Sequence, residues 1–185
     1  MNIERAKAED VEIIDKKDDE MAVNETTTVN ATVDQVIEAF ASEDFARFAC
    51  EKLGIGFEDF TVAGDTSGPF TATTTRTISA DRVPDIAKKF VSKGLKMTQE
   101  DVVSAPAEDG SRTIESDIKV SGMPVTATAS QQLVPQGEQT VINVSGDVSC
   151  GIPLVGKKIA TAAEPYVGKV TTRLGGYIEE WLQQK

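Results

Sequence analysis

Apolar residues recur with two different periods along this chain, and the switches between them mark its elements. The run MAVNETTTVN from Met21 to Asn30 is rich in Val and Thr and alternates as a first strand does. The period then lengthens. Val33, Val36, Ile37 and Phe40 fall on one helical face, behind a capping-box pair of Thr32 and Gln35, which predicts a short helix. Ser42 caps a second helix, with Glu43 and Asp44 at its positive end. Its inner stripe is Phe45, Phe48, Ala49 and Leu53, and Gly54 and Gly56 end it.

Alternation with a period of two returns in residues 57–65 and 70–79, which read as a hairpin joined through Ser67-Gly68-Pro69. Asp81 caps a short helix with Pro84 in its first turn. Val83, Ile86, Ala87 and Phe90 lie on one side of it, and Gly94 stops it. Four more strands follow, at residues 95–104, 112–121, 125–134 and 140–150. Pro106 with Asp109-Gly110, Gly122 with Pro124, and Pro135 with Gly137 break them apart. Six of the seven prolines thereby fall at element boundaries, which supports the division.

Parity assigns the covered face. Ile114, Ile118 and Val120 share one side of their strand, Val125, Ala127, Ala129 and Leu133 one side of the next, and Ile142, Val144, Val148 and Cys150 one side of the last. The opposite sides carry Thr, Ser, Glu, Asp and Lys, so the sheet is antiparallel with one dry face and one wet face. Residues 153–184 supply the cover. Val155, Ile159, Ala163, Val167, Val170, Leu174, Tyr177, Ile178 and Trp181 step by three and four. They make an amphipathic helix of up to about thirty residues, on the order of 45 Å long. The predicted class is α+β, in the order β-α-α, six strands with a small helix after the second of them, and a final long helix.

Composition narrows the chemistry. The chain has 185 residues, 39% apolar and 26% charged, the balance of a soluble globular protein near single-domain size. Nineteen basic residues stand against thirty acidic ones, a net charge of -11, which disfavours nucleic acid and anionic membrane surfaces as partners. There is no histidine, so Ser-His-Asp and Cys-His catalysis and His-bearing metal sites are excluded. Neither a metal site nor a cofactor motif is expected. Gly156-Lys157-Lys158 lacks the spacing of a phosphate loop, and residues 15–20 lack the spaced ligands and central glycine of a calcium loop.

No apolar run approaches the roughly 20 residues of a membrane span, and the basic and apolar blocks of a signal peptide are missing, so the expected compartment is the cytoplasm. Cys50 and Cys150 fit that compartment as two reduced, buried thiols. The first twenty residues hold eight acids and four bases, and read as a charged, disordered extension ahead of a single domain, residues 21–185.

Three segments, NATVDQVIEAF (residues 30–40), RTISADRVPDIAKKFVSKGLKMTQED (76–101) and GDVSCGIPLVGKKIA (146–160), resemble the actinobacterial family of domains of unknown function numbered 2505. The similarity spans residues 21–184. Its superfamily is the START-like, helix-grip one of lipid-transfer proteins, plant pathogenesis-related proteins and polyketide cyclases. The resemblance implies a curved antiparallel sheet of about seven strands wrapped on the C-terminal helix, with a cavity between them for a lipid or other hydrophobic small molecule. The residues placed on that cavity by parity are Phe70, Ala72, Thr74 and Arg76 of the third strand and Ile114, Ser116 and Ile118 of the fifth. Ala127, Ala129 and Val144 continue the wall, and Ile159, Ala163, Val167 and Val170 face it from the helix. Many of these are small, and the chain has only ten aromatic residues to fill the centre. The alternative is a collapsed, solid interior.

Arg76 is the most specific polar candidate. Pointed inward, it is either an anchor for a ligand carboxylate or phosphate or one half of an internal pair with Gln99, Glu100, Asp101 or Glu115. A one-residue bulge would instead turn it to solvent. The strand acids, Asp101 among them, read mostly as solvating charges. No catalytic residue is assigned. The competing functions are a cyclase- or hydratase-like enzyme using a cavity carboxylate with Arg76, and an interaction module with an acidic surface. An inward acid beside Arg76 with a shifted pKa would favour the enzyme, and an all-apolar pocket the carrier. Gly156, Gly168, Gly175, Gly176 and Pro165 predict a long helix kinked or split near Glu164. Either residues 152–163 form a lid, or the glycines let helix and sheet approach closely; the second reading is preferred.

Overall fold

The computed structural model describes residues 21–185, so the charged first twenty residues lie outside the described part. Seven strands, β1 (Met21–Val29), β2 (Gly56–Gly64), β3 (Phe70–Ile78), β4 (Leu95–Val103), β5 (Arg112–Val120), β6 (Val125–Gln136) and β7 (Gln139–Cys150), pair antiparallel in one sheet. Their order is β1-β7-β6-β5-β4-β3-β2, which puts the first two strands of the chain at opposite edges. Helices α1 (Val33–Phe40) and α2 (Glu43–Leu53) connect those edges and close one end of the curved sheet. A single 3-10 turn (Ala80–Arg82) and the short α3 (Asp85–Lys88) follow β3, and α4 (Gly156–Gln183) ends the chain.

Local chemistry sets the boundaries. Thr32 accepts from the Gln35 amide while the Gln35 side chain accepts from the Thr32 amide, a complete capping box for α1. Gly54 ends α2 in the left-handed region, at φ 66°. After β3 the expected single helix is broken in two. Pro84 forces Val83 into an extended conformation, φ -80° and ψ 140°, so the helical turn stops and restarts. Phe90 is consequently 42% exposed rather than on the packed side, while Val83, Ala87 and Val91 are buried. Strand β6 runs through Pro135 to Gln136, beyond the predicted end. Proline is tolerated there because β5 stops pairing at Leu133, so no neighbour requires its missing N–H.

Helix α4 begins at Gly156, where an added Cβ would overlap the Cys150 carbonyl, and it continues without a split through Pro165. It packs chiefly on β1 and β7 and touches α1, α2 and α3. Gly168 and Gly175 lie towards β1: a Cβ on Gly175 would stand 3.0 Å from Val29 Cγ2. Gly175 therefore serves close approach of helix and sheet, whereas Gly176 faces open space. Asn30 donates its amide to Glu179 Oε1 at 2.6 Å, and the Lys52–Glu180 ion pair ties α2 to the same end of α4.

The apolar interior has two parts. The main cluster gathers Val29, Val36, Ile37, Phe45, Phe70, Val103, Ile114, Leu133, Ile178 and Trp181 where α1, α2 and the end of α4 meet the sheet. Phe45 and Trp181 meet edge to face in it, 5.5 Å between ring centres. A second cluster of Val83, Ala87, Val91 and Ile159, supported by Met123, Cys150 and Ile152, lies at the other end, around α3 and the start of α4.

Candidate functional site

Between these clusters the covered face of the sheet changes character. Its residues there are small or polar: Thr74 on β3, Gln99 and Asp101 on β4, Ser116 on β5, Ala127 and Ala129 on β6, and Gly146 on β7. Ile118, Ala127, Ala129 and Gly146 are only half-buried, although they point the same way as Ile114 and Leu133, which are fully buried in the main cluster. Helix α4 mirrors this. Ile159, Ile178 and Trp181 are buried near its ends, whereas Ala163 and Val167 in its middle are half-buried and Val170 is 41% exposed.

The other residues placed on the cavity from the sequence lie at its margins or deeper. Phe70, Ala72, Ile114 and Val144 pack in the main cluster, and Ile159 packs in the second. Thr74 and Ser116 are buried beside the polar group described next.

Arg76 is half-buried and points inward, because β3 and β4 pair without interruption through Arg76 and Met97. The register shift in that region belongs to β2, between Phe57 and Asp59. The guanidinium donates from Nη1 to Gln99 Oε1 at 2.6 Å, and the Gln99 amide nitrogen donates to both Asp101 oxygens at 2.8 and 2.9 Å. Ser116 Oγ donates to Asp101 Oδ1 at 2.5 Å. The glutamine amide thus works as a one-way connector, its oxygen towards the cation and its nitrogen towards the acid. Gln99 is the direct partner of Arg76 and Asp101 the indirect one, while Glu100 and Glu115 are on the outer face, where Ser130 donates to Glu115.

Asp101 is 4% exposed, so it is not one of the solvating charges among which it was counted. Burial pushes its carboxyl above the usual carboxylate range, against the donors from Gln99 and Ser116 and the charge of Arg76. The Cys50 thiol of α2 lies against the same guanidinium. Burial raises its pKa and Arg76 partly opposes the rise. Cys50 and Cys150 are both free, the first buried and the second half-buried in the second cluster. One hint of the inward acid was available in the sequence, since Asp101 shares parity with Leu95, Met97 and Val103.

Arg76 Nε is buried with no hydrogen-bond partner, and this guanidinium is in none of the ion pairs formed among the described residues. A groove of about 740 Å³ also runs between the edge strand β1 and α4, but Glu25, Glu164, Lys169 and Arg173 make its walls charged. Among the described residues no group of three or more Cys, Asp or Glu is gathered as a metal site, and no helix is long and apolar enough to cross a membrane.

Residues 24–182 match the family described as "Protein of unknown function (DUF2505)". The chain belongs to that family. No curated protein matches this DUF2505 chain. Among solved structures it is similar to the TTHA0849 protein of Thermus thermophilus, with 12% identity over 86% of this chain and 95% of that one and a TM-score of 0.53. Protein Ms6760 of Mycobacterium smegmatis gives 13% identity over 88% and 91% of the two chains, with a TM-score of 0.51. A norcoclaurine synthase of Thalictrum flavum, bound to a transition-state analogue, gives 15% identity over 87% and 95%, with a TM-score of 0.47. At these identities the likeness to the first two speaks for the fold alone, a seven-stranded antiparallel sheet with a long C-terminal helix, the helix-grip arrangement.

Proposed function

We propose that the middle of the covered face is a hollow that binds a lipid or other hydrophobic small molecule, and that this DUF2505 protein is a cytoplasmic carrier. The observation behind this reading is the division of the apolar interior into two clusters, with half-buried Ile118, Ala127, Ala163 and Val167 in neither of them and Ala129 at the margin of the main one. Apolar contacts in a domain usually form one contiguous core with smaller satellites, so the second cluster alone is ordinary and the half-buried positions beside it carry the reading. Here the central positions of β6 and β7 hold the small Ala127, Ala129 and Gly146, and α4 packs chiefly on β1 and β7 rather than the middle strands. A ligand chain lying there would leave water at about 0.8 kcal/mol per CH₂.

The enzyme reading needs an acid presented to the bound molecule. Asp101 is the inward acid beside Arg76 that would favour it, but both its oxygens are occupied and the residue is almost wholly shielded. It orients Gln99 instead, and through Gln99 it orients Arg76. That geometry favours binding over acid–base chemistry.

Native mass spectrometry of the protein purified from its own cells tests the proposal. A retained organic molecule, released by solvent extraction, is the expected result. A chain that carries nothing and takes up no apolar probe would contradict it.

A further inference from the structure

Resting on the binding hollow proposed above, we propose that its ligand is an amphiphile with an anionic oxygen head, a carboxylate or phosphate, and that Arg76 is the residue that holds the head.

A guanidinium is never neutral in a protein, and one removed from water needs acceptors for its donors. Arg112 shows how this chain meets that demand when an arginine is structural. It is 4% exposed, and its Nε, Nη1 and Nη2 donate to the carbonyls of Ser104, Thr66 and Gly68. Arg76, on the same face of the sheet, meets only the neutral oxygen of Gln99 and the Cys50 thiol, and its buried Nε has no acceptor. The acid that might have neutralised it is held one residue away by the glutamine amide, so the cation is oriented without being paired.

The position of this group matters as much as its deficit. Arg76 stands beside the half-buried stretch between the two apolar clusters, with Met97 opposite it and Cys50 against it. An apolar tail along Ile118, Ala127 and Ala129 would bring a head group to the guanidinium, which binds carboxylates and phosphates through paired donors. The net charge of -11 repels anions from the protein as a whole, so any preference for an anionic ligand must come from a local cation.

Titration calorimetry with dodecanoate, dodecyl phosphate and dodecanol separates head from tail. The unaltered protein should bind at least one of the two anions about tenfold or more tighter than the alcohol, the gain expected of charge-assisted hydrogen bonds. Whichever anion binds tighter assigns the head. Arg76→Met should reduce the anion affinities to that of dodecanol and leave dodecanol itself unchanged. Equal affinity of acid and alcohol in the unaltered protein, or a preference that survives Arg76→Met, would overturn the anchor and leave the hollow standing. No saturable binding of any probe would overturn the hollow and the anchor together. The comparison on unaltered protein decides the matter even if the variant fails to fold.

Discussion

Arg76 and Arg112 both come from the covered face of the sheet, yet only one of them is saturated. The difference lies in what surrounds each group. Arg112 is at a strand end, where loop carbonyls converge on it, and Arg76 lies within β3, paired to β2 on one side and β4 on the other, where the backbone oxygens are already spent in the ladder. Side chains must serve in their place, and the relay of Gln99, Asp101 and Ser116 does so. Its acid has a consequence for stability. Asp101 has its folded pKa raised by burial above the unfolded value of about 3.9. The folded state therefore binds the proton more tightly, so the stability contributed by this group is complete below the unfolded pKa and is lost as pH rises through the folded one. Asp65 and Asp109, whose pKa values are lowered by donors from Ser67 and Ser111, act in the opposite sense. The difference between two proteins isolates Asp101. Urea unfolding should show Asp101→Asn gaining stability relative to the unaltered chain as pH rises above the ordinary carboxylate range, since Asn still accepts from Ser116. A difference independent of pH would contradict the placement.

At the scale of the element, α4 shows what a periodic pattern can and cannot convey. Its apolar stripe was legible, and so was the reason for one of its glycines, because Gly175 does bring the helix against Val29. The helix was not split by Pro165, since one lost hydrogen bond in twenty-eight residues leaves the rest of the ladder intact. Gly175 and Gly176 make a direct comparison. A Cβ on Gly176 would meet nothing within 4 Å, so Gly176→Ala should stabilise by about 1 kcal/mol through helix propensity. Gly175→Ala should gain nothing or lose, because the fully buried Val29 cannot give way. Thermal unfolding of the two variants checks this, and equal gains would mean that α4 stands further from β1. The short helix after β3 was misread for a local reason. A helical face drawn through Val83 and Phe90 ignores the extended conformation that Pro84 imposes on the residue before it.

For the whole molecule, strand number and covered face could be read from alternation, because the pleat makes parity a property of the backbone itself, whereas the strand order that puts β1 and β2 at opposite edges could not. Nor could the position of α4. An amphipathic stripe says which side of a helix is dry, but not that it will lie over β1 and β7. The polar relay was only half legible for a related reason. The β4 run Met97-Thr98-Gln99-Glu100-Asp101 carries polar residues on both faces, so hydrophobic periodicity is silent where the site is built. Both gaps bear on the same feature, the stretch between two apolar clusters that α4 leaves uncovered. Methyl-labelled NMR titration with dodecanoate tests that feature most directly. The shifts should concentrate on Ile118, Ala127, Ala129, Ala163 and Val167 and saturate together at one ligand per chain. Shifts confined to Val23, in the charged groove between β1 and α4, or none that saturate, would contradict a binding site inside the sheet.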